Sequence, residues 1–255
     1  MLRKKLTCVA LGSLLLAAPL VPANAAPIDT DIAFVIDESG SMGGEFQFLG
    51  SAISEFLAAL NDDSRIGTAQ AGLISYLGEP TLVQDLTGDA DVLSTAFGSV
   101  SVGGGTENAL AAVDSAIPGG QTDLGLSYRA DTVKSVILIT DEDADDDSAE
   151  RRNELETLID SERFLVNIIA DPFGDTYAEE FEQIARPAGA LFDIGAFRTD
   201  REEFFTQFTN TKIQEITTDP GTDPAPVPVP PSMTLLATAL LGLGLLGYRR
   251  RGRAN

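Results

Sequence analysis

Asp37-Glu38-Ser39-Gly40-Ser41 stands directly after the apolar run Asp31-Ile32-Ala33-Phe34-Val35-Ile36. Spacings of two send the oxygens of Asp37, Ser39 and Ser41 toward one side of a tight loop. One carboxylate and two hydroxyls are hard oxygen donors, the set that magnesium, manganese and calcium take. Gly40 lets the backbone turn tightly between the serines. Two later positions offer further oxygens: Thr106, after Gly103-Gly104-Gly105, and Asp141, after Val136-Ile137-Leu138-Ile139-Thr140. Each of these residue types is also common in turns and helix caps. Their shared placement, each after a strand-like or glycine-rich run, points to a single metal site.

Other chemistries lack their residues. The chain has no histidine, and its one cysteine, Cys8, lies in the N-terminal apolar run. Ser-His-Asp and Cys-His catalysis are therefore absent, as are the usual catalytic zinc sites and the neutral-pH proton shuttle. The expectation is a binding protein and not an enzyme. A second acidic cluster, Asp143, Asp145, Asp146, Asp147, Glu150 and Glu154, loosely matches a calcium-binding loop. Ser148 stands where that loop needs glycine, so a solvated acidic loop leading into a helix is the preferred reading.

The elements that must position these residues alternate. Strands are expected at 31–37, 66–77, 133–140, 164–170 and 191–194, with an edge strand at 81–86 in a hairpin. Helices are expected at 46–60, 89–97, 107–117, 149–159, 177–186 and 200–216. In the first helix Phe46, Leu49, Ile53, Phe56, Leu57 and Leu60 recur at spacings of three and four. In the last, Phe204, Phe205, Phe208 and Ile213 share a face. Such alternation predicts an α/β fold: a doubly wound, mostly parallel sheet with one antiparallel edge strand and helices on both faces, in a single domain. Ligands of such sheets bind beyond the carboxyl ends of the strands, where the winding switches direction.

Asp37-x-Ser39-Gly40-Ser41-Met42, Gly104-Gly105-Thr106 and Ile139-Thr140-Asp141 together resemble the metal-ion-dependent adhesion site (MIDAS) of von Willebrand factor A domains. The resemblance covers about residues 30–216. It implies that Asp37, Ser39, Ser41, Thr106 and Asp141 hold a Mg2+ ion (or Mn2+ or Ca2+), directly or through water. One coordination position would remain for an acidic group of a protein or extracellular-matrix partner. Glu142 stands where family members often carry glycine, and its carboxylate would alter metal choice or repel an acidic ligand. Nearby helix N-termini would favour an incoming anion.

The two ends of the chain read differently from its body. Arg3, Lys4 and Lys5, the apolar stretch from Leu6 to Leu20 and Ala23-Asn24-Ala25 form a secretory signal peptide over 1–26. Thr217 to Pro231 is a Pro-rich linker, expected to be an extended spacer. Residues 232–255 form a tail whose apolar stretch, Met233 to Tyr248, approaches the length of a transmembrane helix and ends in Arg249-Arg250-Arg251. Val227-Pro228-Val229-Pro230-Pro231-Ser232 with this tail resembles bacterial PEP-CTERM sorting signals, especially their VPLPA-like variant. That implies processing by an exosortase and a place at the cell surface or in the extracellular matrix of a Gram-negative bacterium. A plain membrane anchor is the simpler reading.

The formal net charge is −22. Setting aside the seven bases of the two ends leaves ten bases against 39 acids, a net charge of −29. A body so acidic is not expected to bind nucleic acid or anionic lipid. The functional reading is an exported, surface-associated adhesion module. The alternative is a structural component of an extracellular polymer or surface layer in which the ion only rigidifies the domain. A metal-dependent hydrolase is the third.

Overall fold

Strand β1 (Ile28–Asp37) is buried from Thr30 through Asp37. A strand with one wet face would alternate, so continuous burial requires cover on both sides. Ile32, Phe34 and Ile36 point into one core and Ala33 and Val35 into the other. The computed structural model describes residues 26–171, 177–187 and 190–218, all within one compact unit. The sheet has six strands in the order β3-β2-β1-β4-β5-β6. They are β1, β2 (Ile66–Tyr76), β3 (Pro80–Thr87), β4 (Val133–Ile139), β5 (Phe164–Ala170) and β6 (Leu191–Asp193). β2 and β3 pair antiparallel, so β3 is the antiparallel edge; all other neighbours are parallel. From β1 the chain moves to β2 on one side and later to β4 on the other. The switch in winding therefore falls between β1 and β4, the two strands that end at Asp37 and just before Asp141.

One layer comprises α1 (Gly43–Asp62), α2 (Ala90–Ser99), α6 (Ile194–Thr199) and α7 (Arg201–Thr218). The apolar stripe of α1 is buried along its length, and each such Leu or Phe stabilises by roughly 1.5–3 kcal/mol. Phe56 of α1 packs edge-on against Phe34 of β1 and Phe205 of α7, with ring centroids 5.8 and 5.9 Å apart. The other layer holds α3 (Ala109–Ser115), α4 (Ala149–Glu162) and α5 (Tyr177–Glu182). Val113, Leu155 and Phe181 share that layer's core with Ala33 and Val35.

At the amino-terminal end of β1, Asp31 is fully buried and held by Arg129. The Arg129 Nε donates to Asp31 Oδ1 at 2.8 Å, and its backbone N–H donates to Oδ2 at 2.7 Å. This fastens the long segment between α3 and β4 to the sheet.

Several expected boundaries move. The helix over 177–186 ends at Glu182. Arg186 instead exchanges two backbone hydrogen bonds with Val166, at 2.8 and 2.9 Å. The residue before a proline, here Pro187, is pushed toward extended backbone. The helix over 107–117 is shorter, Ala109–Ser115. The strand over 191–194 stops at Asp193, whose side chain accepts from Gly195 N–H at 2.6 Å and starts α6, a helix the sequence reading omitted. Helix α7 continues to Thr218, two residues into the segment read as linker. The signal segment up to Ala25, the linker beyond Thr218 and the tail lie outside the described residues. Among the described residues no helix is long and apolar enough to cross a membrane.

Candidate metal centre

The loop after β1 enters a short 3-10 turn (Gly40–Met42) and then α1. Its first link is local: Ser39 N–H donates to Asp37 Oδ1 at 2.6 Å, closing a turn around the carboxylate. The second crosses the switch point, where Thr140 Oγ1 donates to Asp37 Oδ2 at 2.9 Å. The third brings in Asp141. Its Oδ1 accepts from Ser41 Oγ at 2.9 Å and lies 3.4 Å from Ser39 Oγ, while the two serine hydroxyls are 3.0 Å apart. Asp37, Ser39, Ser41 and Asp141 thus converge, although about a hundred residues separate the loop from Asp141.

Thr106 is exposed in the loop that precedes α3, and no hydrogen bond joins its hydroxyl to the other four residues among those described. The loop itself is tied to the site. Gly103 N–H donates to Glu38 O at 2.8 Å, and Ser39 and Gly103 form an isolated parallel bridge. Gly40 sits against this bridge, and a methyl group added to it would lie 3.4 Å from Gly103 O. The left-handed glycines among the described residues are Gly119 and Gly125, so Gly40 adopts no left-handed backbone angle, and the separation from Gly103 O is an ordinary contact that a methyl group could make.

Carboxyl groups crowd this end of the sheet. Asp37 is fully buried, and burial raises its carboxyl above the usual range. Hydrogen bonds from Ser39 and Thr140 oppose that rise, and the charge of Asp141 adds to it. Glu107, just after Thr106, is pushed up to about 7, first by desolvation and then by Asp37 and Asp145. Glu142 is also raised, by burial and then by Asp141 and Asp37. The extra carboxylate of Glu142 therefore deepens a negative field already present. The donors fit a hard dication that keeps several waters: hydroxyls and one or two carboxylates. Among the described residues no three carboxylates, imidazoles or thiols gather as a metal cage.

Two nearby features change the reading made from sequence. The acidic cluster is engaged with the protein. Asp146 accepts from Leu110 and Ala111 N–H at 3.2 and 2.8 Å, and Asp145 Oδ2 accepts from Glu107 N–H at 2.9 Å. Arg151 and Arg152 pair with Asp146 and Asp147, and Ser148 caps α4 by accepting from Arg151 N–H. This loop braces α3. The donors at the start of α3 are consequently taken by Asp146 and do not await an outside anion.

The second feature is Arg198, which the sequence reading overlooked. Its guanidinium pairs with Asp141 at 2.7 Å and with buried Glu45 at 2.6 Å. No local pattern marks Arg198; the one signal in the sequence is that it is among only ten bases in so acidic a body.

Among solved structures the chain is similar to the vWF domain of the type V pili tip protein Mfa5 from Porphyromonas gingivalis. The TM-score is 0.57 at 13% identity, over 75% of this chain and 97% of that one. It is also similar to proximal thread matrix protein 1 from the mussel byssus, solved with a zinc occupied MIDAS motif. There the TM-score is 0.57 at 17% identity, over 74% of this chain and 47% of that one. The chain thus spans about half the length of the mussel protein. At these identities the likeness is one of fold. No curated protein sequence matches the chain. Residues 31–218 match the family model of the von Willebrand factor type A domain. With that match, the six-stranded sheet and the oxygen cluster at its switch point, the chain belongs to the von Willebrand factor type A domain family.

Proposed function

We propose that this domain binds a protein or matrix partner through a divalent cation, Mg2+ first, held by Asp37, Ser39, Ser41, Thr106 and Asp141. The observation that carries the reading is the convergence of two serine hydroxyls on Asp141 Oδ1, next to a buried Asp37 that burial pushes toward protonation. A dication would relieve that burden and leave a position for an acidic group of the partner. Thr106 would join as the ligand from the third loop. The chemistry is binding and not turnover.

The fold neighbours, a pilus tip protein and a byssus matrix protein, support an adhesive or matrix role outside the cell. In this reading the signal peptide at 1–26 exports the chain. The tail at 232–255 anchors it, at least until an exosortase-type enzyme processes it, at the surface or in the extracellular matrix of a Gram-negative bacterium. A second reading, favoured by the likeness to a matrix protein, has the ion only rigidify a structural component of the extracellular polymer.

Calorimetric titration of magnesium and calcium into metal-stripped protein, beside Asp37→Ala, tests the site. Saturable binding near one ion per chain, lost in the variant, is the expected result. Equal heats for both proteins would sink it. Metal-dependent retention of surface proteins or polymers then separates adhesion from a purely structural ion.

A further inference from the structure

Arg198 lies in the last turn of α6 and reaches back to a residue 57 positions earlier in the chain. Its guanidinium is divided between two carboxylates. Nε donates to Glu45 Oε1 at 2.6 Å, and Nη2 donates to Asp141 Oδ2 at 2.7 Å. Both acids are nearly closed to water, with side chains 3% and 9% exposed, whereas Arg198 keeps 37%. Glu45 Oε2 is buried with no hydrogen-bond partner. One fixed positive charge thus serves two carboxylates, with a third, Asp37, close by. The helix that carries Arg198 is anchored at this point, because the neighbouring Phe197 is fully buried between Phe48 and Phe204, at centroid distances of 5.5 and 5.3 Å.

The two oxygens of Asp141 therefore face different partners: Oδ1 faces the serines of the candidate site and Oδ2 faces Arg198. We propose that Arg198 is an internal counter-ion that competes with the divalent cation for the charge of Asp141 and so sets the cation affinity of the site. This rests on the metal-binding reading given above. A guanidinium stays protonated throughout the physiological range, so its charge is permanent. With no metal bound, Arg198 keeps Glu45 and Asp141 from repelling one another and holds the site in shape. With metal bound, the same charge repels the incoming ion and neutralises part of the carboxylate that attracts it. The site is preformed at the expense of affinity.

The sign of the effect makes the proposal testable, since structural damage weakens binding whereas loss of a competitor strengthens it. Magnesium is titrated by calorimetry into metal-stripped wild type, Arg198→Met and Arg198→Lys, and unfolding temperatures are measured in chelator and in excess magnesium. Arg198→Met should bind magnesium about tenfold more tightly, the scale of one nearby charge after solvent screening. Arg198→Lys should stay within about twofold of wild type because the charge remains. In chelator Arg198→Met should melt below wild type, and magnesium should narrow the gap. If Arg198→Met does not fold, Arg198→Gln, which can still hydrogen-bond to Glu45, should give the same gain. A charge-removing variant that binds magnesium as wild type does, or more weakly, overturns the proposal and makes Arg198 a support for Asp141. If wild type, Arg198→Met and Asp37→Ala are all inert toward magnesium, the metal reading itself fails and takes the competition with it. Binding by Arg198→Met alone would support both.

Discussion

The hydroxyl of Thr140 donates to Asp37 Oδ2 at 2.9 Å, joining the last residue of β1 to the first residue beyond β4. Both residues are fully buried, and Ser39 N–H takes the other oxygen of Asp37. Asp37 is thus aimed from two sides. Thr140→Val keeps the shape and deletes the donor, which should cost about 1–3 kcal/mol by denaturant unfolding. It also removes a bond that lowers the Asp37 carboxyl, so magnesium binding should weaken most at acidic pH. Thr140→Ser should restore both. A valine variant equal to wild type in stability and titration would show that Thr140 does not aim Asp37.

Glu107 should give the metal-free domain an unusual pH response. Its carboxyl rises from 4.5 to about 7 on folding, so the folded state binds more protons than the unfolded state between those values. Its contribution to stability is therefore present below about pH 4.5 and lost as pH rises toward 7. Unfolding of the metal-stripped protein across this window should show the loss, Glu107→Gln should flatten it, and magnesium should offset it. Identical pH profiles for wild type and Glu107→Gln would refute the assignment.

Asp146 holds the first turn of α3 through Leu110 and Ala111. Asp146→Ala should destabilise by about 1–2 kcal/mol, as loss of a helix cap does. The measurement is best made in an Asp37→Ala background, where the candidate centre is disabled. There calcium should leave the unfolding temperature unchanged with either residue at 146. Calcium stabilisation that depends on Asp146 would mean that the acidic loop binds the ion after all.

Arg129→Met leaves the buried Asp31 without its ionic partner at the far end of β1. The expected loss is roughly 3 kcal/mol, the low end for breaking a buried pair, because Arg129 is partly solvated. Magnesium affinity should not change. A shift in affinity would mean that the two ends of β1 are coupled.

The residues that carry a local signal were legible in the sequence. The apolar run of β1, the three-and-four stripe of α1 and the aromatic face of α7 each state their period and surroundings. Asp37, Ser39, Ser41 and Asp141 were legible because they follow such runs. Helix α6 was not, since six residues hold too little period to separate a short helix from a strand end. Arg198 was hidden for the same reason. Its meeting with Asp141 depends on where the order β4-β5-β6 delivers α6, and nothing in its own neighbourhood encodes that. Pro187 accounts for the extended backbone of Arg186, whereas the end of α5 at Glu182 carries no comparable local signal.

The alignment of β1 with β4 sets Phe34 level with Ile137 and Ile36 level with Ile139, which brings Asp37 level with Thr140. Sliding β1 by one residue would carry Phe34 to the opposite layer, and Glu38 would arrive where Asp37 belongs. The same error would misfill both cores and spoil the oxygen cluster. Proofreading of the strand alignment is therefore built into the core, and a chain that has packed its aromatics correctly has also assembled the cluster.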